Sequence, residues 1–309
     1  MNPESQKQYE DEIDLRELFS TLWKGKWIIA SVTTVFSLIA VVVMLMTPDQ
    51  YRSTVVLVPA HNGSSSMMAG LSSKLTGLAS LAGVNVGSGG GDESQVAIEI
   101  MKSWGFVDKF IKEQGIEVEI FAATKWDADT NKLFIDDGLY DTEGKNWVSN
   151  SPSGETVEPT SWDLYESFNN RLTISQMKDT GLISVSIEYY SPTLAKQWVD
   201  LYVELINSYM RERKLKQVER NIEYLQSQIN KTSIAEMKEV FYNIVEEQIK
   251  SKMLAEASPE YAFLTVSEAM VAEKKSKPAR GLISLFGAVL GMFIGLLIVL
   301  FKKYGLKSS

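Results

Sequence analysis

The sequence predicts an α+β domain held between two membrane-spanning helices, and three observations predict it. Two apolar runs of 20 residues, Trp27–Met46 and Leu282–Phe301, contain no charged residue. Between them, stretches that alternate polar and apolar residues sit beside stretches with apolar residues three and four apart. One stripe of the second kind opens at Ser191-Pro192 and meets neither glycine nor proline until Pro259.

The runs come first because they fix everything else. A helix of about 20 apolar residues spans the ~30 Å hydrocarbon core of a bilayer. Within the second run, Gly287, Gly291 and Gly295 recur every four residues. That puts three small residues on one helix face, where another helix can approach closely. The region ahead of the first run carries Glu10, Asp11, Glu12, Asp14 and Glu17, and Thr47-Pro48-Asp49 follows the run. This is not a short basic leader with a small-residue cleavage site, so the first run reads as a retained anchor.

Lys24 and Lys26 precede the first run, which by the positive-inside rule puts the N-terminus in the cytoplasm. The reading is then 1–26 as a cytoplasmic tail and 27–46 as the first membrane helix. Residues 47–280 are a periplasmic α/β domain, 281–301 the second membrane helix and 302–309 a cytoplasmic tail.

The enclosed 234 residues carry 33 acidic and 24 basic side chains. A nucleic-acid surface would be basic, so nucleic acid is excluded as a partner. The chain has no cysteine and one histidine, His61. Disulfides, thiolate metal sites and a cysteine nucleophile are excluded. No metal-ligand cluster or nucleophile-elbow motif is present, so no cofactor or metal is expected and the chain reads as no enzyme. The adjacent carboxylates Asp136-Asp137 read as part of a solvated acidic loop.

Taken in order, Asp14–Leu22 has Leu15, Leu18, Phe19 and Leu22 at helical spacing and reads as an amphipathic helix at the membrane face. Tyr51–Pro59 is rich in β-branched residues and reads as a strand. A short helix, Met67–Leu81, and a hinge at Gly87–Gly91 follow. Asp92–Gln114 reads as one helix with Val96, Ile100, Trp104, Val107 and Phe110 on its apolar face, ended by Gly115. Glu117–Asp163 reads as irregular and acidic.

Trp162–Asn170 reads as a short helix. Arg171–Met177 and Leu182–Tyr189 read as a hairpin turned at Gly181. With the Tyr51 strand they would form a mixed sheet. Ser191 and Pro192 then supply an N-cap and a first helical residue. A long helix follows, over about 192–257, with a stripe running from Leu194, Trp198, Leu201 and Leu205 to Met237, Val240 and Ile244. Unbroken, it would be about 100 Å long. It therefore projects, bends back (Asn230–Ser233 being the place) or packs on neighbouring copies. Tyr261–Ala272 reads as a final strand beside the first, and Pro278 and Arg280 mark re-entry to the membrane.

Several of these stretches together resemble a known family. They are Asp14-Leu-Arg-Glu-Leu-Phe-Ser-Thr-Leu-Trp-Lys, the Tyr51-x-Ser-x-x-x-Leu-x-Pro59 strand, Met253-Leu-Ala-Glu-Ala-Ser-Pro-Glu-Tyr-Ala-Phe-Leu264, and Lys277-Pro278-x-Arg280 before a glycine-rich anchor. The layout resembles the Wzz-type chain-length determinants, or polysaccharide co-polymerases. The segment before the second anchor is proline-rich in that family and keeps only Pro278 here.

The resemblance implies a membrane-proximal α/β base with a long projecting helix and a ring-like homo-oligomer in the bacterial inner membrane. It also implies a role in setting the length of a surface polysaccharide, lipopolysaccharide O antigen foremost. The implied partners are a membrane polymerase and its lipid-linked glycan. Some relatives carry a kinase domain with a Walker motif, and the stop at Ser309 leads to no such activity being expected. The competing expectation is a two-anchor sensor or adaptor that signals to a separate membrane partner.

Overall fold

The computed structural model describes residues 23–60, 89–148 and 158–304. The expected helices at Asp14–Leu22 and Met67–Leu81, and His61, lie outside the described residues. The chain divides into two compact units, one formed by Met1–Asp49 with Ser276–Ser309 and the other by Gln50–Lys275.

Among the described residues, the first unit holds two long helices, α1 (Lys26–Met46) and, at the far end of the chain, Arg280–Tyr304. Both are long and apolar enough to cross a membrane.

The second unit is α+β. Its first strand, β1 (Gln50–Pro59), buries Ser53, Val55, Leu57 and Pro59 in strict alternation, as a strand with one face on a core must. Helices α2 (Gly89–Lys102) and α3 (Trp104–Gln114) follow. They were expected as one helix. The break comes at Ser103, whose hydroxyl accepts from Phe106 N–H and starts a new helix. The register restarts there, so Val96 and Trp104 are exposed while Ala97, Ile98, Met101, Phe106, Val107, Phe110 and Ile111 fill the core. The glycine cluster runs into α2, which begins at Gly89, rather than forming a hinge throughout. Gly115, at φ +63°, ends α3 with its N–H on Ile111 O.

The next stretch is more regular than expected. A one-turn helix α4 (Glu117–Phe121) leads into two antiparallel hairpins, β2 (Ala123–Asp127) with β3 (Lys132–Ile135), and β4 (Tyr140–Asp141) with β5 (Asn146–Trp147). Asn131 and Lys145 take positive φ at the two turns, which acidic composition alone does not reveal.

Helix α5 (Ser161–Asn169) opens with a capping box. Thr160 Oγ1 accepts from Asp163 N–H at 3.2 Å, and Asp163 Oδ2 accepts from Thr160 N–H at 2.9 Å. Strands β6 (Leu172–Gln176) and β7 (Ile183–Tyr189) form the expected hairpin, with Gly181 at φ +70° in its turn. The chain's last long strand, β8 (Phe263–Ser267), joins β1, giving the order β6-β7-β1-β8. These pairs are all antiparallel, not mixed, with Tyr51 opposite Tyr189 and Leu57 opposite Ile183.

The 192–257 stretch is two helices, α6 (Pro192–Lys231) and α7 (Ala235–Ala257). The break at Thr232–Ile234 overlaps the polar segment proposed for a bend. Forty residues make α6 about 60 Å long. Its first half lies on the sheet and buries Ala195, Trp198, Val199, Tyr202, Val203, Ile206 and Met210. Leu201 and Leu205, expected in the first part of the apolar stripe, are only half-buried.

Tyr202 is the hub of this core. Its ring lies 4.9 Å from Phe110 and 5.5 Å from Phe168, and its hydroxyl donates to Met101 O. Burial pushes the phenol well above its ordinary pKa.

Asn207 fastens β8 to α6. Its buried amide accepts from Ala262 N–H at 2.8 Å and Phe263 N–H at 2.9 Å, and donates to Phe263 O at 3.0 Å.

The second half of α6 pairs with α7 as an antiparallel hairpin. Glu219 meets Lys252 at 2.9 Å and Asn221 meets Gln248 at 3.3 Å, while Val218, Leu225 and Ile229 fill the seam. The pairing turns α7 so that Ala255 is buried and Phe241 and Val245 are half-buried. Met237, Val240 and Ile244 lie exposed, contrary to the stripe read from the sequence.

Candidate functional site

The residues singled out by the sequence, Gly287, Gly291, Gly295, Pro278 and Arg280, all belong to the first unit. The last helix, α8 (Arg280–Tyr304), runs antiparallel to α1, and the glycines form the seam between them. Gly287 faces Ala40, Gly291 faces Thr33 and Phe36, and Gly295 faces Ile29. The match advances about one helical turn at a time on both helices.

The space is that of hydrogen atoms. A Cβ on Gly287 would lie 2.5 Å from Ala40 Cβ. On Gly291 it would lie 2.8 Å from Phe36 Cβ and 2.9 Å from Thr33 Cα, and on Gly295 3.0 Å from Ile29 Cα. Two of these neighbours are backbone atoms, which no rotamer change moves aside. Close backbone approach of this kind supplies dispersion contact where lipid leaves no hydrophobic drive between helices.

A fourth glycine extends the seam. A Cβ on Gly25 would lie 2.5 Å from a methyl of Val299. Sequence reading missed it, because Gly25 precedes the apolar run and sits between two lysines that draw attention as charges. The four-residue step onward to Ile29 and Thr33 was the available signal.

The seam also encloses a polar atom. Thr33 Oγ1 is buried and has no hydrogen-bond partner, whereas neighbouring Thr34 bonds back to Ala30 O at 2.8 Å.

At the opposite end, Arg280 Nη2 donates to Asp49 Oδ1 at 3.0 Å. This ties the start of α8 to the segment just past α1. Pro278 precedes that pair and follows a cis peptide bond.

Among the described residues, no group of three or more histidine, cysteine, aspartate or glutamate side chains could hold a metal ion. Asp136, weighed as one of two adjacent carboxylates, accepts from Gly138 N–H at 2.9 Å and shapes a turn.

Residues 11–114 match the family model described as Wzz, chain length determinant protein. No curated protein matches the chain. Among solved structures, a full-length bacterial polysaccharide co-polymerase is similar at 14% identity, over 96% of this chain and 99% of that one, with a TM-score of 0.37. A fragment of WzzB, a polysaccharide co-polymerase from Salmonella Typhimurium, is 12% identical over 74% of this chain and all of that one, with a TM-score of 0.28. A mutant of the Shigella flexneri lipopolysaccharide O-antigen chain-length regulator WzzB is 10% identical over 74% of this chain and all of that one, at 0.20.

Proposed function

We propose that this chain is a member of the Wzz family of chain length determinant proteins, whose model its residues 11–114 match, and that it regulates the length of a surface polysaccharide. The family match carries the reading. It covers α1, β1, α2 and α3, and so joins a membrane helix to the strand and helices of the second unit. The two apolar helices packed through a glycine seam add a two-pass anchor to it.

The Gln50–Lys275 unit is then periplasmic and both termini are cytoplasmic, with Lys24 and Lys26 on the inner side. The chain acts without catalysis of its own, as a homo-oligomeric scaffold beside an inner-membrane polymerase that extends a lipid-linked glycan. Lipopolysaccharide O antigen is the polymer. The exposed apolar side chains Met237, Val240 and Ile244 on α7 suit a scaffold whose arms meet other copies.

The experiment is a gel of lipopolysaccharide from a deletion strain beside its parent. Loss of a modal band cluster, replaced by short random chains and restored by the gene, supports the proposal. An unchanged ladder rejects O antigen as the polymer, and unchanged lengths of the other surface polysaccharides reject the function.

A further inference from the structure

One surface of the second unit places exposed tryptophans beside a small polar cleft. Trp162 is 60% exposed and Trp104 is 48% exposed. Trp162 does not stand alone: its ring lies 5.2 Å from that of Tyr165, tilted by 46°. The Tyr165 hydroxyl donates to Lys102 O at 3.2 Å, which pins α5 to the junction where α2 ends and α3 begins. Trp104 stands two residues beyond that carbonyl.

Helical spacing continues the surface. Positions 162, 165 and 169 fall on one face of α5, so Asn169 follows Tyr165 along the same stripe. Asn169 then lines a cleft of about 250 Å³ with Lys102, Leu172, Thr173 and Ile174. From Trp162 to Asn169 the stripe runs about 10 Å. It passes from indole to phenol to a carboxamide, with a hydroxyl from β6 and an ammonium from α2 beside it.

We infer that this stripe is a binding site for a stretch of polysaccharide about two sugar rings long. The inference rests on the proposed function and names where the glycan would touch the chain. The chemistry selects the ligand class. A pyranose ring has one face of C–H groups, which suits an exposed indole, and a rim of hydroxyls, which suits a carboxamide and a hydroxyl able to donate and accept.

Other occupants fit less well. An anion would need uncompensated positive charge, and Lys102 is already paired with Glu99 at 3.2 Å. A partner helix would need a continuous apolar ridge, and this stripe becomes polar at Asn169. The aromatic pair lies outside the cleft and Asn169 lines it, so an apolar platform continues into a few placed polar groups.

The test uses the detergent-solubilised full chain. Oligosaccharides of one to four repeats, released by mild acid from the host strain's own surface polysaccharide, are titrated in while tryptophan fluorescence is followed. Saturable binding is expected, with Kd raised at least tenfold in Trp162→Ala and in Asn169→Ala. Trp162→Phe, which keeps an aromatic face, should bind within threefold of the parent. An unchanged circular dichroism spectrum shows that the variants are folded.

Absence of binding to the parent chain overturns the inference, as does equal binding by Trp162→Ala and Asn169→Ala. Shielding of Trp162 from acrylamide in the assembled protein, relieved when copies dissociate, overturns it in favour of a contact between copies. Should the deletion strain lose its modal cluster while the parent chain binds no oligosaccharide, this inference fails and the proposed function stands.

Discussion

Gly291 sits against the backbone of Thr33, where a Cβ on the glycine would come within 2.9 Å of the threonine Cα. The two residues are far apart in sequence and on different membrane helices. Their approach means that α1 and α8 form one packed pair rather than two independent anchors.

The Thr33 hydroxyl is buried in this seam without a partner. Leaving such a group unmade costs about 1–3 kcal/mol. Thr33→Val keeps the shape and removes the orphan, so it should stabilise the helix pair by about 1 kcal/mol. Thermal unfolding of the solubilised chain checks this. A lower midpoint would mean that the hydroxyl has a partner in the assembled protein.

The Arg280–Asp49 pair invites the opposite expectation. Its side chains are 55% and 30% exposed, and ion pairs of that kind contribute about 0–1 kcal/mol. Asp49→Asn should shift the unfolding midpoint by no more than a degree or two. A large loss would show that the pair is shielded from water in the membrane.

Asn207 makes three hydrogen bonds to the β8 segment from a buried position. Asn207→Ala leaves two N–H groups and a carbonyl unpaired and should cost about 2–4 kcal/mol. Hydrogen exchange should show faster exchange at Ala262 and Phe263 while the β6–β7 hairpin stays protected. Uniform loss of protection would mean that β8 and the hairpin open together.

The hairpin of α6 and α7 carries a pH-dependent tie. The hydrogen bond from Lys252 holds the Glu219 carboxyl below its ordinary pKa, and the bond to Glu219 raises that of Lys252. A lowered carboxylate pKa gives stability that is present above the unfolded value and lost as pH falls through the folded one. A raised lysine pKa gives stability lost as pH rises through the folded value. The tie should therefore hold from mildly acidic to mildly alkaline pH and release at both extremes. Spin labels on the two helices should report a constant separation around neutral pH and a wider distribution once the pH falls below the ordinary carboxylate range. In Glu219→Gln the acid change should shrink.

What the sequence revealed depended on how local the cause was. The membrane helices, the Gly181 hairpin, the Ser191 cap and the β1–β8 pairing follow from composition, turn chemistry or a visible return of the chain. The break at Ser103 was less legible, because a serine inside a helical pattern is unremarkable until its hydroxyl takes an N–H. The exposed stripe on α7 was misread because its apolar residues span more than one face, and only pairing with α6 decides which face is covered. In the candidate site, three of the four seam glycines were visible by spacing. Their partner, the chain's own first helix, was not, since spacing describes a face and says nothing about what meets it.

The most direct test of the account is the chain-length distribution in a deletion strain carrying Gly291→Leu at the parental protein level. The account predicts an intact, correctly inserted protein and a lost or broadened modal cluster. A modal cluster identical to the parent's would contradict it, because length control would then not depend on the α1–α8 seam.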